Sequence, residues 1–294
     1  MSEGRIVVVG SANLDVVVPV PHHPATGETV LGGDHVLIPG GKGANQAVAA
    51  ARLGGDVAFV GRVGEDDAGI RLRASLDAAG VDTTHLEMDP DTPSGLALIG
   101  VDDDGDNAII VSPGANACLA PGDLDGGLLA DAAVVLLQLE VPLDTVSTAV
   151  AAATGTVLLN PAPAALLPDG FLDGVDVLVP NRLELRTLAG RDGDDVDLAR
   201  SLGVPSVVAT LGPEGALVVS GGSARRFPAP VVDAVDTTAC GDAFCGALAE
   251  GLARGLDLNA AVRRSVHAGA LTATRAGAQP SLPTSAELAA ALDD

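Results

Sequence analysis

Short β-branched runs alternate along this chain with Ala/Leu-rich stretches of helical period, and that alternation constrains the fold more than any other feature. It predicts strands over Arg5–Gly10, Val57–Gly61, Ala133–Leu137, Val157–Asn160, Val175–Val179, Ser206–Thr210 and Ala216–Ser220. Helices are predicted over Gly43–Leu53, Ala68–Ala79, Leu143–Ala153, Asn181–Ala189, Gly241–Arg254, Asn259–Thr274 and Ser285–Leu292. In the first helix Ala44, Ala47, Val48 and Ala51 recur at i, i+3, i+4 and i+7, so one face packs on a sheet. Strands that are apolar throughout are buried on both faces, the pattern of a parallel sheet covered by helices. The expected architecture is α/β, with a mostly parallel central sheet sandwiched by helices in one domain over 1–294.

Two regions interrupt the alternation. Val16–Ile38 and Ser94–Val111 hold strand-like stretches broken by Pro, Gly and Asp, the second turning at Asp102-Asp103-Asp104-Gly105. Their pairing would give a small separate β-sheet, a lid drawn from about 14–38 and 94–111, over a site at the strand C-termini.

Composition excludes several classes. Sixteen Lys+Arg against 39 Asp+Glu give a net charge of −23, which argues against nucleic-acid binding through a general basic face. Such a surface, with almost no aromatics, suits adaptation to high salt, with a GC-rich genome favouring Ala, Gly, Asp and Arg as the alternative explanation. No apolar run reaches the roughly 18 to 20 residues of a membrane span, and the N-terminus lacks a signal-peptide layout, so a soluble, cytoplasmic protein is expected. Cys118, Cys240 and Cys245 are too few and wrongly spaced for a disulfide framework or a zinc site. The sole lysine, Lys42, sits in Gly40-Gly41-Lys42-Gly43.

Lys42 is followed by Gly43 and preceded by Val36 where a P-loop's first glycine would stand, so no Gly-x-x-x-x-Gly-Lys-Ser/Thr is present. Gly-x-Gly-x-x-Gly after the first strand, Gly-x-Ser-x-Gly and His-Glu-x-x-His are also missing. Two local signals remain. Asp236-Thr237-Thr238-Ala239-Cys240-Gly241-Asp242 leads small residues into a helix, where free N–H groups at Ala239 to Asp242 would make an anion hole. Asp242 there reads either as a helix-start carboxylate or as a general base beside an anion, and local pattern does not decide. In Pro39-Gly40-Gly41-Lys42-Gly43-Ala44-Asn45-Gln46, glycines allow close backbone approach, Lys42 offers a point charge, and Asn45 offers a donor and an acceptor.

Nine motifs in order carry a resemblance: Gly10-Ser11-Ala12-Asn13-Leu14-Asp15; Gly27-Glu28-Thr29; Gly40 to Ala47; Gln138-Leu139-Glu140; Asn160 to Ala164; Asn181-Arg182-Leu183-Glu184; Thr210-Leu211-Gly212; Asp236 to Asp242; and Gly277-Ala278-Gln279-Pro280-Ser281. With these the chain resembles the ribokinase-like carbohydrate kinases, the PfkB family, over almost its whole length. The resemblance implies an ATP-dependent phosphotransferase, with O5 of D-ribose as the leading acceptor. A nucleoside kinase, or a kinase of fructose or 2-keto-3-deoxygluconate, is the alternative.

It implies Asp242 as base, with the N–H groups of Ala239, Cys240 and Gly241 on the transferring group. Cys240 replaces the family's usual Ala or Gly, as a small spacer. Asn13, Asp15, Gly41, Lys42, Asn45 and Glu140 match the sugar pocket. Asn181 and Glu184 match the element that orders Mg2+ and phosphates through water, and Thr210, Leu211, Gly212 and Gly215, with Gly241, the nucleotide loops. Asp236, main-chain oxygens of Thr238, Thr272, Arg275 and Gly277, and the Ser281 hydroxyl match a potassium site. Lys42, Arg275 and Mg2+ would offset the acidic balance around ATP. The adenine pocket has no clear match and His267 is given no role. Some relatives dimerise through the lid, and a homodimer is allowed on that analogy.

Overall fold

The computed structural model describes residues 4–293. Its strands are β1 (Ile6–Val9), β2 (Asn13–Pro19), β3 (Val36–Gly40), β4 (Val57–Gly64), β5 (Leu86–Asp89), β6 (Gly95–Val101), β7 (Asn107–Ser112), β8 (Val134–Leu137), β9 (Thr156–Leu159), β10 (Val177–Leu178), β11 (Ser206–Thr210), β12 (Ala216–Ser220) and β13 (Ser223–Phe227). The helices are α1 (Lys42–Arg52), α2 (Asp67–Ala78), α3 (Gly126–Asp131), α4 (Leu143–Ala152), α5 (Arg182–Ala189), α6 (Asp195–Ser201), α7 (Cys240–Ala253), α8 (Leu258–Ala273) and α9 (Ser285–Asp293).

Nine strands form the central sheet in the order β13-β12-β11-β10-β9-β8-β1-β4-β5. β1 lies at its heart, with Val7 in parallel register with Ala58 on β4 and Val135 on β8. Successive side chains of a strand point to opposite faces. Accordingly Ile6 and Val8 enter a core layer with Ala47 of α1 and Leu248 of α7, while Val7 and Val9 enter one with Val146 of α4 and Leu185 of α5. This is the helix–sheet–helix sandwich that the all-apolar strands required. The departure from parallel order lies at one edge, where β11, β12 and β13 pair antiparallel. Only Leu211–Gly215 separates β11 from β12, too short for the crossover that a parallel pair needs.

A second sheet has the order β3-β2-β6-β7, with β2 parallel to β6 and the outer strands antiparallel. The strand-like stretches within Val16–Ile38 are the end of β2 and the start of β3, and between Pro19 and Val36 the chain forms no strand, because its Pro, Gly and His residues support no ladder. One face of this sheet leaves the cross-strand pair Leu98 and Ile110 more than two-fifths exposed, and Ile109 is exposed on the opposite face. No helix among the described residues is long and apolar enough to cross a membrane.

Candidate active site

The functional side chains sit where the strands end. Gly10 follows β1, Gln138 follows β8, Asn160 follows β9, and Thr210 closes β11. Ligands of open α/β sheets bind at this carboxyl edge.

Into it runs the N-terminus of α7. Its N-cap, Ala239, has φ 59°, alone among the described non-glycine residues in being left-handed. The N–H of Cys240 is consumed within the turn that leads into α7, donating to the Thr237 carbonyl at 3.3 Å. This corrects the expectation that all the amides from Ala239 to Asp242 are free: those of Ala239, Gly241 and Asp242 meet no acceptor among the described residues. The Cys240 thiol is pushed up to about 11 by burial and by the Asp236 and Asp242 charges, so it stays protonated beside them.

Asp242 is 8% exposed. Its Oδ2 accepts from Asn45 Nδ2 and its Oδ1 from Gln46 Nε2, both at 3.0 Å. Burial raises its pKa against the opposing pull of Lys42 and the two amides. Lys42 experiences the converse. Burial disfavours its ammonium, and the charges of Asp242, Glu140 and Glu184 nonetheless carry its pKa above the ordinary value. A buried carboxylate thus faces a cation beside unpaired backbone amides.

Around Asp242 the structure also gathers Asn13, Asp15, Gly41, Lys42, Asn45 and Glu140. Asp15 on β2 lies against β3, so close that a Cβ on Gly40 would collide with its carboxylate. Burial, then Glu140 and Asp242, raise the Asp15 pKa to about 7. Gly41 has φ 87°, and a Cβ there would stand 2.7 Å from the Asn13 nitrogen, so only glycine lets the two segments meet. Glu140 Oε2 accepts from Ser11 Oγ and from the Lys42 N–H at 3.0 Å. Asn13 is held by Asn116, whose Nδ2 donates to Asn13 Oδ1 at 2.8 Å. Asn45 Oδ1 is buried with no hydrogen-bond partner among the described residues.

Between α1, α5 and α7 opens a cleft of about 210 Å3, lined by Lys42, Asn160, Asn181, Glu184, Thr210, Gly241 and Asp242 among others. Asn181 caps α5, accepting from the Glu184 N–H at 2.8 Å while Glu184 accepts back from the Asn181 N–H at 2.7 Å. The reading of these two residues as a helix start and their place in the cleft are therefore both realised. Glu184 is raised by burial, with Asn181 and Lys42 opposing. Leu211 is 5% exposed and packs in the core, so only its backbone is available to a ligand. Gly215 has φ 92°, and a Cβ there would collide with the Phe227 carbonyl.

Beyond the α7 turn, Asp236 accepts from the Thr238 and Gly277 N–H groups, both at 2.8 Å, tying together two of the segments expected to hold potassium. These bonds outweigh burial and lower its pKa, keeping the anion. The carbonyls of Thr238, Arg275 and Gly277 accept no hydrogen bond from the described residues, whereas that of Thr272 accepts from the Arg275 N–H at 3.2 Å. Ser281 is fully buried and its hydroxyl donates to the Ala278 carbonyl at 2.7 Å. An anion beside unengaged carbonyls is a donor set that fits a monovalent cation. The Arg275 guanidinium is paired with Glu287 at 2.6 Å, so its charge is not free to offset that of a nucleotide, contrary to expectation. His267 bonds back to the Arg263 carbonyl on the surface of α8.

Ser11, Gln46, Asn116, Gln138 and Asn160 also take part in the site, though the sequence pattern gives none of them a role. Four of them lie inside recognised motifs, and position in those motifs was the available signal. Asn116 carried none, since its contact spans more than 100 residues of chain.

Residues 3–285 match the sequence pattern described as pfkB family carbohydrate kinase. The chain is 37% identical to the ribokinase of Haemophilus influenzae, with 96% of each chain covered. It is also 37% identical to the deoxyribokinase of Salmonella typhi, with 95% of each covered. The ribokinase of Arabidopsis thaliana, solved in complex with ribose and ATP, superposes with a TM-score of 0.89 at 30% identity, covering 100% of both chains. Fold, sequence pattern and full-length similarity agree, and the chain belongs to the pfkB family of carbohydrate kinases.

Proposed function

We propose that this protein is an ATP-dependent kinase that transfers the γ-phosphoryl group of ATP to O5 of D-ribose, giving ribose 5-phosphate and ADP. The observation that carries the reading is the position of Asp242. It is buried beside the carboxylates of Asp15 and Glu140, and it shares a cleft with the free amides of Ala239 and Gly241 that open α7. The Asp242 carboxylate takes the proton as the sugar oxygen attacks phosphorus and the bond to the ADP oxygen breaks. The Ala239 and Gly241 N–H groups, with the α7 dipole, stabilise charge that grows on the transferring group, and Lys42 adds a compact cation. Because these groups oppose charge that grows in the transition state, they favour it over the bound sugar.

Carboxylates that accept from adjacent hydroxyls give selectivity for a polyol, since removing a hydroxyl leaves a buried acceptor unpaired. Glu184 and Asn181 orient each other through three hydrogen bonds that leave acceptor sites of the Glu184 carboxylate free, and Mg2+ accompanying ATP would be ordered by them through water. Asp236 with the carbonyls of Thr238, Arg275 and Gly277 would hold potassium, which supplies positive field beside the anion hole. Leu98 and Ile110, exposed side by side on one face of the small sheet, suit burial against a second copy, and we infer a homodimer through the lid, in a cytoplasmic protein adapted to high salt.

The experiment is ATP consumption across D-ribose, 2-deoxy-D-ribose, hexoses and nucleosides, with the phosphate position fixed by phosphorus NMR. D-Ribose with phosphate on O5 supports the reading. Preference for 2-deoxyribose, the substrate named for one relative at equal identity, transfers the assignment to that sugar. Absence of phosphoryl transfer to any of them overturns it. Equal rates in KCl and NaCl at matched ionic strength would remove the specific potassium site.

A further inference from the structure

We propose that Gln46 is the positioning residue of Asp242, the keystone of a buried amide chain that fixes how the carboxylate faces the sugar hydroxyl. This rests on the kinase reading above and deepens it.

Gln46 is fully buried on α1, next to the Asn45 that holds the other carboxylate oxygen. Both protons of its amide are committed: Nε2 donates to Asp242 Oδ1 at 3.0 Å and to Asn160 Oδ1 at 3.1 Å. Its carbonyl Oε1 accepts from Gln138 Nε2 at 2.7 Å. Asn160 in turn donates to the Val179 carbonyl at 2.9 Å. A flipped Gln46 amide would set Oε1 against two acceptors and Nε2 against a donor. Its orientation is therefore dictated from three strand ends: Gln138 after β8, Asn160 after β9 and Val179 after β10.

The charge on Asp242 polarises Gln46, which strengthens its bond to Gln138, so the chain acts as a unit. Asn160 also lines the cleft, so the same amide that orients the base sets a wall of the phosphate-side cavity. The sugar clamp is held separately, with Asn13 on Asn116 and Glu140 on Ser11. Loss of Gln46 should therefore strike the chemical step and spare sugar binding.

Two variants test this. Gln46→Met keeps side-chain volume and removes the donor. Gln46→Glu keeps the acceptor for Gln138 while placing an acid against Asp242. Removing a hydrogen bond to a buried charge is expected to lower kcat roughly 10- to 100-fold, with KM for the sugar within about twofold. The acid limb of the kcat–pH profile should move upward by about one unit, because the ionised form loses a donor. The other charged and titratable groups facing Asp242 are Lys42 on α1, Asp15 on β2, Glu140 after β8, Glu184 on α5, and Cys240 and Cys245 on α7. None of these is altered.

A variant that only loosened the core would lower the melting temperature and leave the pH limb in place. Gln138→Met, which removes the far link, should give a smaller effect, and adding it to Gln46→Met should cost little more. A kcat within threefold of wild type, an unmoved pH limb, or a KM that rises as far as kcat falls would overturn the proposal. Should Gln46→Met not fold, Gln46→Glu and Gln138→Met carry the same readouts. An inactive wild-type protein would instead remove the kinase reading itself.

Discussion

Replacing Asp15 by asparagine should stabilise the protein at alkaline pH while crippling it as a kinase. The folded state holds the Asp15 carboxyl at a pKa of about 7, against an ordinary value of 3.8, because the site buries it beside Glu140 and Asp242. A folded pKa raised above the unfolded one means that the native state holds its proton longer. Stability linked to Asp15 is therefore complete below the unfolded pKa and is lost as pH rises toward 7. The difference of about three pKa units corresponds to a penalty of roughly 4 kcal/mol at pH 8, and about 1.5 kcal/mol at pH 5, where the unfolded chain is already ionised. Residual solvent contact reduces both figures by roughly half.

The asparagine amide cannot ionise, so the variant escapes the penalty. The Tm difference between Asp15→Asn and wild type should be about 2 to 5 °C larger at pH 8 than at pH 5 for a chain of this size. Scanning calorimetry at the two pH values, in matched high salt to screen the remaining acidic surface, measures it. At pH 8 the variant should lose sugar affinity at least roughly tenfold, as a buried acceptor for sugar hydroxyls is gone. A Tm difference independent of pH would refute the reasoning, since it would show that burial beside Glu140 and Asp242 does not raise the Asp15 pKa.

Three other perturbations follow from the geometry. A Cβ on Gly43 would stand 2.6 Å from the Ser11 nitrogen and 2.7 Å from the Gly10 carbonyl carbon, both backbone. Gly43→Ala should cost about 2 to 3 kcal/mol in urea unfolding, and kcat with it, as α1 shifts with Lys42, Asn45 and Gln46. Glu250 is 1% exposed and pairs with Arg254 at 2.9 Å and Arg264 at 3.2 Å, so Glu250→Ala should destabilise by about 3 kcal/mol in the same assay. Asn116→Ala frees Asn13 and the Ala12 N–H, and should raise KM for the sugar roughly tenfold while changing kcat less, as read from initial rates.

The central sheet was legible in the sequence because Ile6-Val7-Val8-Val9 and Val134-Val135-Leu136-Leu137 are apolar at every position, which only a strand covered on both faces requires. The short helices α3 and α6 were not, since six or seven residues, in α6 mostly polar, hold too little periodicity to register. Within the site, Lys42 stood out as the only lysine, and Asp242 as the acid at a helix start. What pattern could not reveal was the use made of each backbone amide. The Cys240 N–H is spent on Thr237 because Ala239 adopts a left-handed conformation, and nothing in the alanine side chain announces that. Arg275 looked available as a lone cation, yet Glu287, in the first turn of α9, claims it. The amide chain through Gln46 joins residues more than 90 positions apart, so it existed only once the strands were side by side.

The most direct measurement is the pair of constants for Asp242→Asn: the sugar dissociation constant by calorimetry without nucleotide, and the turnover number with saturating ATP. The carboxylate and the amide have the same shape, and Asn45 with Lys42 still lines the pocket, so sugar affinity should change by no more than a few-fold. Turnover should fall on the order of 1,000-fold, because an amide cannot accept the hydroxyl proton. A variant that keeps more than half of normal turnover would contradict Asp242 as the base, and with it the account of how this site works.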